Sequence, residues 1–183
     1  LLATCGNCSC EKKDCSGIPE VKPNILILGK ALSGGVYPVS AVLANDSIMN
    51  VITPGSHGST FGGNPIAAAV AMAALKAVKD EDLTENAYRL GNLFRASLNM
   101  YIETSTIVKS VRGKGLLNAI LINDHEESDT AWNICLKLRD NGLLAKPTHG
   151  NIIRFAPPLV MSEAQLLDCI DIIIRTLKDF ERS

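Results

Sequence analysis

A lysine that follows a short apolar run is the first residue here with a pattern suited to covalent chemistry. Asn24–Leu28 is unbroken and apolar after its first residue, which predicts a strand buried on both faces of a parallel α/β sheet. Lys30 follows at the carboxyl end of that strand, where open α/β sheets bind their ligands. Partial desolvation would favour its neutral amine, which is the nucleophilic form. A lone lysine after a strand is more often a solvated surface residue, so the pattern leaves both roles open.

A loop of small and hydroxyl-bearing residues is the second candidate site. Ser59 and Thr60 lie within Gly55–Gly63, just before a helix that should begin at Asn64–Pro65, an N-cap residue followed by proline. Backbone N–H groups and hydroxyls in that position can bind phosphate. The alternative is an ordinary polar loop, and we interpret His57 as a loop histidine without a specified role.

A charged side chain within an apolar strand is the third candidate. Arg154 lies in the run Ile152–Phe155, so it must either emerge at an edge or pair with a carboxylate. A substrate carboxylate and a structural glutamate would satisfy it equally well. Arg112 and Lys114 are flanked by glycines and are most simply turn residues.

The elements that must position these residues fall into two regions. Strands at 24–28 and 40–44 and a helix from Asn64 to about Lys79 predict part of a parallel α/β domain over residues 1–83. Residues 84–183 predict a small α+β domain. It starts with a helix at 83–102, followed by strands at 107–111, 116–122, 143–146 and 152–155 and by helices at 130–141 and from 162. The helix at 130–141 should end at Gly142, a glycine C-cap, and the last helix should start at Ser162, with Gln165 placed to complete a capping box.

Composition excludes some classes of function. The formal net charge of −1 over 183 residues gives no electrostatic case for binding nucleic acid or an anionic membrane surface. No apolar run approaches the roughly 20 residues that span a bilayer. The sequence starts at Leu1 and shows no signal-peptide pattern, which favours a fragment of a longer protein.

Four cysteines crowd the N-terminus, namely Cys5, Cys8, Cys10 and Cys15. Four thiols could bind zinc, but a structural zinc site usually presents two well-separated pairs. Disulfides would require an oxidising compartment that the rest of the chain does not suggest. We interpret the segment as a surface loop with incidental cysteines and predict no metal site.

Four segments carry a family resemblance: Leu28–Leu43, His57–Pro65, Val111–Ile120 and Leu144–Leu159. In this order they closely resemble segments of the ornithine aminotransferases, a group within the class III, fold type I aminotransferases. The Ser-Gly-Gly-x-Tyr-Pro-Val-Ser stretch points to the ornithine group. The resemblance covers the chain from about Val21 onward. It implies an α/β, fold type I pyridoxal-phosphate-dependent transferase, with the C-terminal part of the large parallel-sheet domain followed by the small α+β domain.

The resemblance also implies roles for the candidate residues. Lys30 would hold pyridoxal 5'-phosphate and shuttle a proton between the amine-bearing carbon of the substrate and the cofactor. Thr60, with Ser59, would bind the cofactor phosphate of the neighbouring subunit, which implies a homodimer with its active site at the subunit interface. Arg154 would pair with a glutamate switch and help to accommodate 2-oxoglutarate.

The implied reaction transfers the δ-amino group of ornithine to 2-oxoglutarate, giving glutamate 5-semialdehyde, which cyclises to pyrroline-5-carboxylate, and glutamate. One alternative is a related enzyme acting on N-acetylornithine or 4-aminobutyrate, and another is a non-catalytic interaction module with a zinc-binding N-terminus.

The family's Arg-Thr-Gly motif is either replaced by Ala3–Gly6 or lies upstream. Because most substrate-recognition residues also lie upstream, we expect this piece alone to be inactive, and its parent to be intracellular, in the mitochondrial matrix or cytoplasm.

Overall fold

The computed structural model describes residues 23–181, which divide into two compact units with a boundary between Ala77 and Val78. The elements of the first unit are strand β1 (Ile25–Leu28), a 3-10 helix (Lys30–Ser33), strand β2 (Ala41–Ala44), helix α1 (Asp46–Met49) and most of helix α2 (Pro65–Asp80). Within the described residues, no helix combines the length and hydropathy needed to cross a bilayer.

The sheet of the first unit is a single antiparallel pair. β1 runs against β2 in a register that places Ile25 opposite Ala44 and Leu28 opposite Ala41. The prediction of a parallel pairing buried on both faces is therefore wrong for this strand, since Ile25 is 51% and Ile27 is 73% exposed. The physical reason is that two strands cannot cover their own faces, and residues 23–77 supply no further strand for this sheet.

Helix α2 begins where its sequence predicts. The Oδ1 atom of Asn64 accepts a hydrogen bond from the N–H of Ala67 at 2.9 Å, and Pro65 occupies the first helical position. Ala71 is buried, and Ala74 lies 3.5 Å from the position that a Cβ on Gly34 would occupy. Alanine on this face of α2 therefore allows the turn after Lys30 to approach the helix closely.

The second unit is a four-stranded antiparallel sheet with three helices. Its elements are α3 (Leu83–Ile102), β3 (Val108–Lys114), β4 (Leu117–Ile122), α4 (Thr130–Asp140), β5 (Lys146–Thr148), β6 (Ile152–Phe155) and α5 (Glu163–Glu181). The strand order is β3-β4-β6-β5. Ile120 and Ile153 are fully buried and belong to one core cluster with buried residues of all three helices, so the helices cover this face of the sheet.

Helix ends in the second unit follow local signals. Ser162 and Gln165 form the predicted capping box, because each backbone N–H is bonded by the other residue's side chain, at 2.9 and 3.2 Å. Gly142 takes a φ of 91° after α4, and its N–H reaches the carbonyl of Arg139 at 2.9 Å, as expected for a glycine C-cap. Burying each large apolar residue of the α5 stripe contributes about 1.5–3 kcal/mol. The fully or nearly fully buried members are Leu166, Ile170, Ile173 and Leu177.

The hairpin between β3 and β4 is tighter than predicted. β3 continues through Lys114, so Arg112 and Lys114 are strand residues and not turn residues. Only two residues separate the strands, and the carbonyl of Gly115 in this turn accepts hydrogen bonds from Arg95 Nη1 and Asn118 Nδ2, both at 3.1 Å. These two hydrogen bonds stabilise the short turn, and the pairing of β3 with β4 extends to Lys114 opposite Leu117. The strand predicted at 143–146 is observed later, at Lys146–Thr148.

Candidate functional site

A cleft of about 880 Å³ in the first unit contains two of the predicted site residues, Lys30 and Ser59. Its walls come from the end of β1, the segment from Pro38 to Leu43, the loop before α2 and the alanine-bearing part of α2. Pockets that hold small molecules typically measure about 300–1,000 Å³. The cleft is thus large enough for a cofactor-sized ligand and presents an amine and a hydroxyl to it.

The backbone of Lys30 is strained. Its φ of 55° lies in the left-handed region, which a residue with a Cβ adopts at a cost of about 1–3 kcal/mol. Such conformations concentrate at functional sites, where the surrounding structure holds them. The side chain is exposed, so the predicted desolvation of Lys30 is not supplied by the residues that the structure describes. Lys30 is exposed because it follows β1, and residues 23–77 add no further strand to the β1–β2 pair.

Ser33 holds the turn that carries Lys30. It is 1% exposed, and its Oγ donates to the carbonyl of Tyr37 while accepting from the N–H of Tyr37 at 3.1 Å. The phenol oxygen of Tyr37 accepts from Asn64 Nδ2 at 3.4 Å, which connects this turn to the start of α2. Our sequence reasoning did not assign this role to Ser33. A serine followed by two glycines was the available signal, because it favours a turn closed by a side-chain hydroxyl.

The loop before α2 is shaped by Ser59. Its Oγ accepts a hydrogen bond from the N–H of Gly62 at 3.0 Å, and both Ser59 and Thr60 are exposed. Thr60 follows Ser59 directly but does not line the cleft. Because Asn64 Oδ1 already accepts from the N–H of Ala67, an anion here would have to use other N–H groups or the hydroxyls of the loop.

Arg154 lies in the second unit, on β6. It is exposed on the face of the sheet opposite the buried Ile153, and its register neighbours are Ala119 on β4 and Lys146 on β5. Among residues 23–181 it makes no ion pair and no hydrogen bond through its side chain. Neither predicted option is met within residues 23–181: β6 lies between β4 and β5 and is not an edge strand, and Arg154 pairs with no carboxylate there.

The two thiols that the structure describes are suited to packing. Burial raises the pKa of Cys135 to about 11, and burial together with the nearby Asp168 also raises the pKa of Cys169. Raised pKa values keep both groups protonated and weakly nucleophilic at neutral pH. The N-terminal cysteines from Cys5 to Cys15 lie outside the described residues. Within residues 23–181, no group of three His, Cys, Asp or Glu side chains is arranged to hold a metal ion.

Residues 5–177 match the family profile described as aminotransferase class III. This chain belongs to the class III aminotransferase family. The mitochondrial ornithine aminotransferase of Drosophila melanogaster is 59% identical over 158 residues, covering 86% of this chain and 36% of the relative. The mitochondrial enzyme of the same name from Rattus norvegicus is 55% identical over 161 residues, covering 88% of this chain and 36% of the relative. The chain thus spans just over a third of the length of these class III relatives.

Solved structures agree with this class III assignment. The acetylornithine aminotransferase of Elizabethkingia anophelis shares 68% identity with a TM-score of 0.84, over 87% of this chain and 42% of that one. The ornithine delta-aminotransferase of Plasmodium falciparum shares 48% identity with a TM-score of 0.83, over 89% of this chain and 41% of that one. The predicted family and the α/β, fold type I class are confirmed. A zinc-binding interaction module is not supported, because the matched region includes the N-terminal cysteines.

Proposed function

We propose that the full-length protein carrying this chain is an ornithine δ-aminotransferase, which transfers the δ-amino group of ornithine to 2-oxoglutarate. The observation that carries the proposal is the cleft lined by Lys30, which is held in a strained backbone conformation and would bind the cofactor of its own subunit. The family is pyridoxal-phosphate-dependent. An ornithine aminotransferase structure from Toxoplasma gondii is described with partial occupancy of this cofactor at its active site.

The residues of the cleft fit pyridoxal phosphate. Lys30 offers a primary amine for a covalent bond, and Leu32 and Val39 offer apolar surface for a ring. The loop at Ser59 offers hydroxyl and N–H donors for the phosphate of a cofactor held by the neighbouring subunit. When bound, this cofactor supplies an electron-accepting ring that stabilises the charge left when the donor carbon loses its proton. Nζ of Lys30 would hold the cofactor and then take and return that proton.

The phosphate contact and the acceptor contact complete the proposal. Thr60, with Ser59, would bind the cofactor phosphate of the neighbouring subunit, so the active unit would be a homodimer. Arg154 would bind a carboxylate of 2-oxoglutarate, and its exposed guanidinium without a partner among the described residues supports this role. Residues 1–83 would form the C-terminal part of the large cofactor-binding domain and residues 84–183 the small C-terminal domain. This piece alone would lack activity.

The amino donor distinguishes two candidate functions. The Drosophila and Rattus relatives favour ornithine, whereas the Elizabethkingia structure, at 68% identity, is named for acetylornithine. The second candidate is therefore an N-acetylornithine aminotransferase with the same Lys30 chemistry.

The names of the Drosophila and Rattus relatives both include the word mitochondrial, which supports the mitochondrial matrix over the cytoplasm as the compartment.

An amino-donor assay on the full-length protein tests the proposal. The protein would be loaded with pyridoxal phosphate, supplied with 2-oxoglutarate and offered ornithine, N-acetylornithine or 4-aminobutyrate. Formation of pyrroline-5-carboxylate from ornithine, with little turnover of the other donors, is the expected result. Preferential turnover of N-acetylornithine would establish the second candidate. Failure to use any of the three donors while holding the cofactor would refute both.

A further inference from the structure

One row of residues across the sheet of the second unit carries three positive charges. The register places Arg112 on β3 opposite Ala119 on β4, Ala119 opposite Arg154 on β6, and Arg154 opposite Lys146 on β5. Residues directly opposite in a sheet share a face, and Ile120 and Ile153 beside this row point into the core. All three cations therefore lie on the face opposite the helices, and all three are exposed.

Nothing in the sheet neutralises this row. None of the four strands contains an aspartate or a glutamate. Within residues 23–181, the side chains of Arg112, Arg154 and Lys146 make no ion pair and no hydrogen bond. Like charges directly opposite in a sheet, as at Arg154 and Lys146, destabilise the pairing. An anion that binds here would relieve this repulsion.

We propose that Arg112 and Lys146, on either side of Arg154, determine specificity for the dicarboxylate amino acceptor. This inference rests on the proposed function. Of the two substrates in that reaction, 2-oxoglutarate carries two negative charges, whereas ornithine carries a net positive charge at neutral pH. The three exposed cations of the row attract 2-oxoglutarate and repel ornithine. The row therefore distinguishes the amino acceptor from the amino donor by charge.

The spacing of the row suits a ligand with two separated carboxylates. Neighbouring strands lie about 4.8 Å apart, so the backbones of Arg112 and Arg154 are roughly 10 Å apart across Ala119. The methyl side chain of Ala119 leaves the space between the two long guanidinium side chains open. Each arginine can approach a different carboxylate, and Lys146 adds a point charge next to Arg154.

The test separates the two half-reactions of the cofactor-loaded, full-length protein. Arg112→Gln and Lys146→Gln each remove one charge from the row, and Lys178→Gln removes one exposed charge from helix α5 as the matched control. We expect each row variant to raise the KM for 2-oxoglutarate by about threefold or more, since exposed charge contacts are individually modest. The KM for ornithine should not rise, because the row repels this cation, and the kcat should stay unchanged. The control should behave as the parent protein. The effect should shrink at high salt.

Succinate gives a second readout that does not depend on the amino donor. This dicarboxylate accepts no amino group, so its equilibrium dissociation constant reports binding alone. Weaker succinate binding in both row variants supports the inference, even if ornithine proves not to be the donor. Unchanged succinate binding in a protein that uses ornithine, or equal losses in both half-reactions, would overturn the role of the row while leaving the proposed function standing.

Discussion

Helix α3 touches the β3–β4 turn backbone to backbone at Gly91 and Gly115. A Cβ placed on Gly91 would lie 1.9 Å from the carbonyl oxygen of Gly115, far inside any tolerable contact. That carbonyl cannot move away easily, because Arg95 and Asn118 both donate hydrogen bonds to it. Gly115 itself has a φ of 55°, which favours glycine in the turn. The pair of glycines thus fixes the distance between the helix and the hairpin.

Replacing Gly91 by alanine should destabilise the second unit. Alanine favours a helix over glycine by up to about 1 kcal/mol, but overpacking against a fixed backbone commonly costs about 1–3 kcal/mol and sometimes more. We expect the free energy of unfolding to fall by about 2 kcal/mol, measured by urea denaturation. Asn99→Ala, at an exposed site of the same helix, is the control. A Gly91→Ala protein as stable as the parent would show that the β3–β4 turn can shift to accommodate the added methyl group.

Lys30→Ala should abolish covalent cofactor attachment. In the full-length protein, borohydride reduction followed by peptide mass spectrometry should find the cofactor mass on the peptide containing Lys30. The variant should lose both this modification and transaminase activity, because no other amine lines the cleft among the described residues. Lys79→Ala removes an exposed lysine at the end of α2 and should retain both. Attachment that persists in Lys30→Ala would contradict the assignment.

Thr60→Ala should weaken cofactor retention by about 1–3 kcal/mol, the cost of leaving a buried acceptor or charged group unpaired. Equilibrium dialysis of pyridoxal phosphate measures this directly. Ser47→Ala, in the exposed helix α1, is the matched loss of a hydroxyl.

Mixed dimers then test whether Thr60 acts across the subunit interface. If it does, pairing a Lys30→Ala subunit with a Thr60→Ala subunit leaves one site with both defects and one fully intact site. That intact site should bind the cofactor as tightly as the parent protein does. If Thr60 acts within its own subunit, every site carries one defect and no tight site appears.

Glu181 should make the second unit sensitive to acid. Partial burial would raise the pKa of this carboxyl, but hydrogen bonds from Ser105, Ile107, Thr106 and Tyr101 outweigh burial and lower it. A lowered pKa in the folded state stabilises the protein above the unfolded value of about 4.5 and loses that stabilisation as the pH falls through the folded value.

The melting temperature measured from pH 6 to pH 3 checks this linkage. Glu181→Gln should lower the melting temperature at pH 6 and flatten its decline in acid, because glutamine has no charge to lose. Glu103→Gln changes an exposed carboxylate and should keep the parent's slope. An unaltered acid slope in Glu181→Gln would assign the acid sensitivity to other groups.

Features set by neighbouring residues were predictable from sequence. The start of α2 at Asn64–Pro65, the capping box of Ser162 with Gln165 and the glycine cap at Gly142 are all confirmed. Each depends on residues within four positions of one another, so the sequence contains the whole signal. The family resemblance was equally local, because each of its segments is a continuous stretch.

Features set by distant residues were not predictable. The extension of β3 through Lys114 depends on Arg95, which lies on another element and donates to the turn. The exposure of Lys30 depends on which strands surround β1, and the row through Arg154 exists only because three register pairings coincide. The roles of Lys30, Ser59, Thr60 and Arg154 stay predictions until the variants above are measured.

The uneven burial of the two units bears on how the protein is made in the cell. Most of the large apolar side chains left exposed lie between Ile25 and Leu75, whereas the second unit encloses its own core. The outer edges of β1 and β2 therefore stay unpaired and prone to aggregation until other segments of the protein pair with them. We expect this stretch to aggregate when the chain is made without the segments that cover it, which would lower the yield of correctly folded protein.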